Sequence, residues 1–398
     1  MAMKFFKKAQ QAAPQRKASR AGRVAAMAAG SGRVLWSPRD SGAMTRSGFS
    51  SNPIGFRCVK LIAEAAAALP LLCHDQVQRF EQHPVVDLIR RPNAGQGQAE
   101  FLESLYGQIL LTGDGYIEAV CALDMKLDVP QELHVLRADR MRAVPGSDGW
   151  PVAYDYEVGG RKLRFDMTGH PDPICHIRSF HPQDDHYGLS PLQAAATAVD
   201  VHNAASAWSK ALLDNAARPS GAIIYRGQDG SGTLGQDQYD RLIHEMEHMH
   251  QGARNAGRPM LLEGGLDWKP MGFSPSDMEF HETKSSAARE IAVAFGVPPM
   301  LLGIPGDATY ANYAEAHRAF YRLTVLPLAT RITAALAWWL SQHLGERVDL
   351  RPDLDQIPAL ASERDQQWKR VGEASFLTQS EKRSILGLPL APDSGQSA

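Results

Sequence analysis

Two serine-proline helix starts govern what this 398-residue chain can fold into. In Ser190-Pro191-Leu192-Gln193, the serine hydroxyl can accept from a free backbone N–H of the first turn. The proline sits where no N–H partner is needed, and the glutamine falls three residues after the cap. Ser274-Pro275-Ser276-Asp277 repeats the device with an acid at the third position, which the positive end of a helix favours. The first start predicts a helix to Ala217, stopped by Arg218-Pro219-Ser220-Gly221, and the second a helix to Phe295. Between them, short β-prone runs at Ala222 to Tyr225, Pro259 to Glu263 and Leu266 to Met271 surround a helical pattern from Gln236 to His250. Two long helices bracketing a small αβ module read as a stalk carrying a tip. The first helix is rich in alanine (Ala194, Ala195, Ala196, Ala198, Ala204, Ala205, Ala207, Ala211), so neighbouring helices can approach it closely.

Upstream, Asn52-Pro53 opens a helix in which Phe56, Val59, Ile62 and Ala63 recur at helical spacing, and Pro70 closes it. A short extended run, Leu69 to Cys73, follows. His83 to Arg91 and Gln98 to Leu111 read as further helices, and Gly113-Asp114-Gly115 as a turn. From Tyr116 to Ser179 the runs YIEAV, ELHVL, MRAV, VAYDYEV, LRFDM and ICHIR are strand-like and divided by Gly, Pro and Asp, giving an α+β unit rather than a parallel nucleotide-binding sheet. Downstream, Gly296 to Thr309 holds too many prolines and glycines for a regular element. A third long helix carries Tyr313, Ala316, Phe320 and Leu323, bends around Pro327, continues through Ile332, Leu336, Trp339 and Leu340, and ends at Gly345. Two modest helices between Leu354 and Leu388 precede a polar terminus, Ala391 to Ala398.

Charge is balanced overall, with a formal net charge of -2, so bulk electrostatics neither announces nor excludes nucleic acid. The first 39 residues are the exception, with nine Lys or Arg (Lys4, Lys7, Lys8, Arg16, Lys17, Arg20, Arg23, Arg33, Arg39) and no acid. They read as a basic, flexible arm, able to touch nucleic acid or an acidic partner. No apolar run of signal-peptide length follows the lysines; a transit peptide would share the composition. Cys58, Cys73, Cys121 and Cys175 form no CxxC pair, which argues against both a disulfide framework and a zinc ribbon and fits a reducing cytoplasm. The most apolar stretch read directly, Val59 to Cys73, is broken by Lys60, Glu64 and Pro70, so no membrane segment is predicted.

His244-Glu245-Met246-Glu247-His248 satisfies HExxH, in which two histidines one helical turn apart bind zinc and the glutamate activates water. On that helix, however, Tyr239, Leu242, Ile243, Met246 and Met249 form an apolar stripe, leaving His244 and His248 on the polar side with Arg241. No third ligand follows at metalloprotease spacing. Gly113-Asp114-Gly115 lacks the lysine and spacing of a phosphate loop. The residues require no catalysis, metal or cofactor. A zinc-dependent hydrolase and a DNA-binding adaptor that forms no ring stay as alternatives.

The segment AREIAVAFGVPPMLLGIPGDATYANYAEAHRAFYRLTVLPL, residues 288–328, strongly resembles the portal proteins of tailed bacteriophages, in the branch shared by lambdoid-type long-tailed phages and gene transfer agents. NPIGFRCVKLIAEAAAALPL, HPVVDLIRRPN, FLESLYGQILLTGDGYIEAV, HIRSFHPQDDHYGLSPLQAA, NAARPSGAIIY and NAGRPMLLEGGLDWKPMGFSPSDMEF agree in order and spacing, so the likeness runs from Asn52 to Leu388. The resemblance implies an α+β portal fold with wing, long-helix stem, small αβ clip, tunnel loop and helical crown. In this chain those parts fall at 40–189 (wing), 190–217 and 273–296 (stem), 218–272 (clip), 297–312 (tunnel loop), 313–350 (wing and tunnel helix) and 351–398 (crown and tail).

It further implies a twelve-membered ring at one vertex of a virion or virion-like particle assembled in the bacterial cytoplasm. Double-stranded DNA would pass through it without sequence readout. The terminase large subunit, then a head-completion adaptor, would dock on the clip, where Arg241, His244 and His248 are the surface residues, and the major capsid protein would surround the ring. Gly303, Ile304, Pro305, Gly306, Asp307, Ala308, Thr309, Tyr310 and Asn312 would form the constriction, with Lys284 and Arg289 as candidates to face the lumen. A structural channel of this kind is not an enzyme.

Overall fold

The computed structural model describes residues 36–74, 79–80, 83–121, 129–214, 221–225, 235–237, 239–241, 244, 266–270, 280–304 and 310–388. A short helix α1 (Ser41–Thr45) runs through a π-turn, Arg46–Ser50, toward α2 (Pro53–Ala67). Strands β1 (Leu71–His74) and β2 (Arg79–Phe80), helices α3 (Pro84–Arg90) and α4 (Gln98–Thr112), then β3 (Asp114–Cys121) and β4 (Pro130–Leu136) follow. Strands β5 (Met141–Pro145), β6 (Pro151–Val158), β7 (Arg161–Asp166) and β8 (Ile174–Arg178) complete the strand-rich part.

Three small antiparallel sheets result: β4-β3-β8, β5-β6-β7, and β11-β1-β2, in which β11 (Asp349–Pro352) returns from far along the chain to pair with β1. Each strand-like run of the Tyr116–Ser179 region lies in one of these strands, so the α+β reading matches the observed architecture.

The main core lies where α2 and α4 pack together and against the last long helix. Val59, Ile62 and Ala63 of α2, Phe101, Leu102, Leu105 and Ile109 of α4, and Ile332, Leu336, Trp339 and Leu340 are all buried. Removing such side chains from water stabilises the fold by about 1.5–3 kcal/mol each. Phe56 departs from the predicted stripe: it is exposed against Phe49, with ring centroids 5.1 Å apart, while Cys58 is buried instead. A smaller cluster, Tyr116, Leu136, Met141, Tyr154, Phe165 and Ile174, lies between the two strand layers.

Gly113-Asp114-Gly115 is a turn, as expected, and also a junction. Gly113 caps α4 at φ 88°, and a Cβ there would lie 2.2 Å from the Gly188 carbonyl oxygen. The close approach lets the Ser179 N–H donate to the Gly113 carbonyl (2.8 Å) and the Gly188 N–H to Asp114 Oδ1 (2.9 Å). The same Asp114 oxygen accepts from the His176 Nε2–H at 2.9 Å, and the Tyr154 hydroxyl donates to His176 Nδ1 at 2.9 Å. A turn residue thus ties three segments distant in sequence.

The first serine-proline start is realised as read: the Ser190 hydroxyl accepts from the Gln193 N–H at 2.9 Å. The helix is not continuous, however. α5 (Pro191–Ala194) is separated by one turn residue, Ala195, from α6 (Ala196–Asp214). The predicted end, residues 215–217, and the second start, residues 274–279, lie outside the described residues, and α7 is described over Phe280–Ala294. Between the two helices, β9 (Gly221–Tyr225) pairs antiparallel with β10 (Leu266–Pro270). The predicted strand at residues 259–263 lies outside the described residues.

The third long helix comprises α8 (Tyr310–Phe320), a π-turn over Tyr321–Val325 and α9 (Leu326–Leu344), closed by Gly345 at φ 66°. The wider turn comes directly before Pro327, which falls in the first turn of α9. The most apolar long helix is therefore not the Val59–Cys73 stretch on which the membrane reading rested. The continuous helix Asn312–Leu344 is long and apolar enough to cross a membrane by length and composition, with 44% of its apolar window buried. α10 (Ala361–Glu373) and α11 (Gln379–Ile385) end the described chain, the latter on a full capping box between Thr378 and Glu381.

Candidate functional site

The stalk is built by α6 lying against α7. Ala198, Val199 and Ala205 are buried on one helix and Ala287, Ala288, Ile291 and Ala292 on the other, so methyl-sized side chains set a close spacing. The alanines of the first stem helix do not act as one surface. Ala195, Ala196, Ala198 and Ala205 are used up inside this chain, whereas Ala194 and Ala207 remain exposed. A groove of about 330 Å³ follows the seam, bordered by Thr197, Val201, Thr283 and Ser286 and by the carboxylates Glu282 and Glu290.

The root of this stalk is joined to the body through Asn52, which is 1% exposed. Its Oδ1 accepts from the Ile54 and Gly55 N–H groups at 3.0 and 2.9 Å and caps α2. Its Nδ2 donates to Asn203 Oδ1 at 2.9 Å and meets His202 Nδ1 at 3.2 Å, both on α6. Asn203 Nδ2 in turn donates to the Ser47 carbonyl at 2.9 Å. Burial lowers the His202 pKa, and the Lys284 ammonium adds to the effect against the bond from Asn203. Asp200, one turn earlier, is also buried; it accepts from the Ser37 N–H at 3.2 Å and lies 3.8 Å from the Arg39 guanidinium. The last residues of the predicted basic arm are therefore held on the stem helix, and residues 1–35 lie outside the described residues.

The predicted constriction is anchored firmly on its N-terminal side. Gly296 (φ 67°) ends α7, its carbonyl accepts from the Thr324 hydroxyl at 2.6 Å, and Val297 is buried. A 3-10 turn, Pro299–Leu302, closes on Gly303 at φ 72°, and the Ile304 N–H donates to the Pro299 carbonyl at 3.3 Å. Pro305, Gly306, Asp307, Ala308 and Thr309 lie outside the described residues. Tyr310 begins α8, and Asn312 is exposed one turn into it.

Lys284 and Arg289 are both exposed on α7. Five residues apart, they are about 140° apart around the helix axis, so they do not share one face. Their neighbours Glu282 and Glu290 make that surface mixed in sign. Arg241 and His244 are exposed in a helical segment, as is Tyr239, which the sequence reading placed on an apolar stripe. Glu245, His248 and the rest of that stripe lie outside the described residues.

The sequence reading missed the Asn52 joint and the outward face of α9. That face carries Arg331 and Trp338 beside two grooves of about 340 and 690 Å³. For Asn52, the N-cap position was legible but its second role on α6 was not.

A model described as phage portal protein matches residues 53–387 of the chain. Two structures of the neck of a gene transfer agent particle are similar across 94% of this chain and 100% of theirs. One, from the empty particle computed with C6 symmetry, is 74% identical with a TM-score of 0.72. The other, from the native particle computed with C12 symmetry, is 73% identical with a TM-score of 0.70. The portal protein of Enterobacteria phage HK97 is 25% identical over 85% of this chain and 78% of its own length. These matches leave the zinc-hydrolase reading without support.

Proposed function

The chain belongs to the phage portal protein family, and from that premise we propose that twelve copies close into a ring at one vertex of a gene-transfer-agent-type particle, through which double-stranded DNA is packaged and released. The observation that carries this reading is the likeness, at 73% identity and over nearly the whole chain, to a component of a C12-symmetric neck. The protein is a structural component of a virion-like particle.

The geometry supports a division of labour. The paired helices α6 and α7 are the stem, and the β9–β10 pair with the helical segment around Arg241 and His244 belongs to the clip, where a terminase large subunit and then a head-completion adaptor dock. Residues 297–312 are the tunnel loop. Its N-terminal base is held by the Thr324 bond to Gly296 and by the 3-10 turn Pro299–Leu302. Contacts with passing DNA must ignore sequence and break repeatedly, which phosphate-directed bonds from whichever of Lys284 and Arg289 faces the lumen would do, since the two lie on different faces of α7. The acids beside them keep such contacts weak. Chemical energy for translocation comes from the docked terminase and not from this chain.

Native mass measurement and electron microscopy of the purified protein test the reading. Closed twelve-membered rings are expected; a monomer across a wide range of salt and protein concentration would refute it. In rings that form, Lys284→Ala with Arg289→Ala should lower DNA retention and flatten its salt dependence. Unchanged salt dependence would remove these two residues from the channel while leaving the ring intact.

A further inference from the structure

The outward face of α9 is left bare in the single chain in a way its composition does not explain. Leu323, Pro327, Arg331, Ala334 and Trp338 lie on one exposed stripe that runs about 22 Å along the helix. Leu323 is 69% and Trp338 67% exposed, values unusual for large apolar side chains on a helix whose opposite face is deep in the core. Arg331 is the only charge on the stripe. It lines an apolar groove with Ile109, Leu110, Leu189 and Leu328, and makes no hydrogen bond or ion pair among the described residues. Partial burial lowers its pKa, with no carboxylate beside it to offset the cost. In the second groove, beside Trp338, the Gln342 Oε1 atom is buried without a hydrogen-bond partner.

We propose that the stripe Leu323–Pro327–Arg331–Ala334–Trp338 is one half of the seam between copies of this chain. The neighbouring copy seats an apolar segment on Trp338 and supplies a carboxylate to Arg331 and a donor to Gln342. The proposal rests on the ring reading above and deepens it. A cyclic ring of identical chains needs two different patches per copy that complement each other, so a self-matching surface is not required. Arginine and tryptophan are the residue types that dominate binding energy when a partner desolvates them.

A bilayer does not fit. The opposite face of the same helix is committed to the core, and the Trp339 Nε1–H donates to the Asp172 carbonyl at 2.7 Å. DNA does not fit either, because phosphate surfaces are met by dense cationic and polar side chains, whereas this stripe offers one cation among apolar groups.

The test uses full-length protein. A photo-crosslinking phenylalanine analogue placed at Trp338 is irradiated in assembled protein, and Arg331→Glu, Arg331→Met and Trp338→Ala are compared by native mass measurement. Circular dichroism verifies that each variant folds, and Arg331→Met keeps the aliphatic stem should the reversal fail to fold. Expected are chain-to-chain adducts, and a concentration for half-assembly raised about tenfold or more in the variants. Wild-type rings that give no chain-to-chain adduct, with variants assembling as the wild type does, would overturn the proposal and leave the ring reading standing. Crosslinks to packaged DNA, or binding of anionic phospholipid vesicles through this face, would overturn it as well. Absence of wild-type rings would overturn both.

Discussion

Replacing Asn52 perturbs two junctions at once, and the structure separates them. Asn52→Ala removes the oxygen that accepts from Ile54 and Gly55, a cap loss of about 0.5–2 kcal/mol. It also removes the amide that serves Asn203 and His202, leaving acceptors on α6 without a donor at a site closed to solvent. That second part costs about 1–3 kcal/mol. Together the loss is about 1.5–5 kcal/mol. Asn52→Ser keeps a capping oxygen and discards the amide donor without adding a charge, so it should recover the capping share. Urea unfolding followed by far-UV circular dichroism, with both variants beside the wild type, measures the difference. Equal destabilisation by Ala and Ser would refute the division between cap and stem joint. A loss below about 0.5 kcal/mol for Ala would refute the joint altogether.

The pH dependence of the same joint follows from His202, whose folded pKa lies below its ordinary 6.5. Between those two values the unfolded chain binds more protons, so stability is full above about pH 6.5 and is lost as pH falls toward the folded value. His202→Gln should flatten that part of a stability-against-pH curve. At the Gly113 junction, Gly113→Ala forces a side chain into positive φ and onto the Gly188 carbonyl, and should sharply reduce the yield of folded protein. Gly107→Ala, mid-helix with nothing within 4 Å, should be neutral or stabilising by up to about 1 kcal/mol; thermal melts compare the two. The Tyr116 hydroxyl is buried without a partner, so Tyr116→Phe should match or exceed wild-type stability, whereas Tyr154→Phe, which breaks the bond to His176, should not.

What was legible in the chain was local. Ser190 and Asn52 cap the helices they precede, Gly345 ends the last long helix, and every β-prone run from Tyr116 to Ser179 became a strand, because caps and strand alternation act within a few residues. Errors arose where a local rule met a distant neighbour. Phe56 fits the helical stripe, yet packing selected Cys58 for the core. Pro327 read as a bend, while the π-turn before it keeps the helix continuous and hides an apolar segment long enough to span a bilayer. The tunnel-loop and lumen residues came from family resemblance rather than from their own chemistry. Gly303 and Asn312 are placed by the structure, and residues 305–309 lie outside the described part.

The sequence by itself determined the order of the described parts: a capped helix, a strand pair, a second long helix, and a third. Each of these is written in backbone propensities that need no partner. Only the tertiary structure decided which surfaces those parts spend on one another. Asn52 holds α6 across 150 residues of sequence, β11 closes the sheet begun by β1, and α9 buries Ile332, Leu336 and Trp339 while leaving Arg331 and Trp338 outside. Whether an alanine, an arginine or a tryptophan lies inside or outside depends on which distant side chains fill the space beside it. That competition is settled by packing and desolvation over the whole body, and no short stretch of sequence contains it.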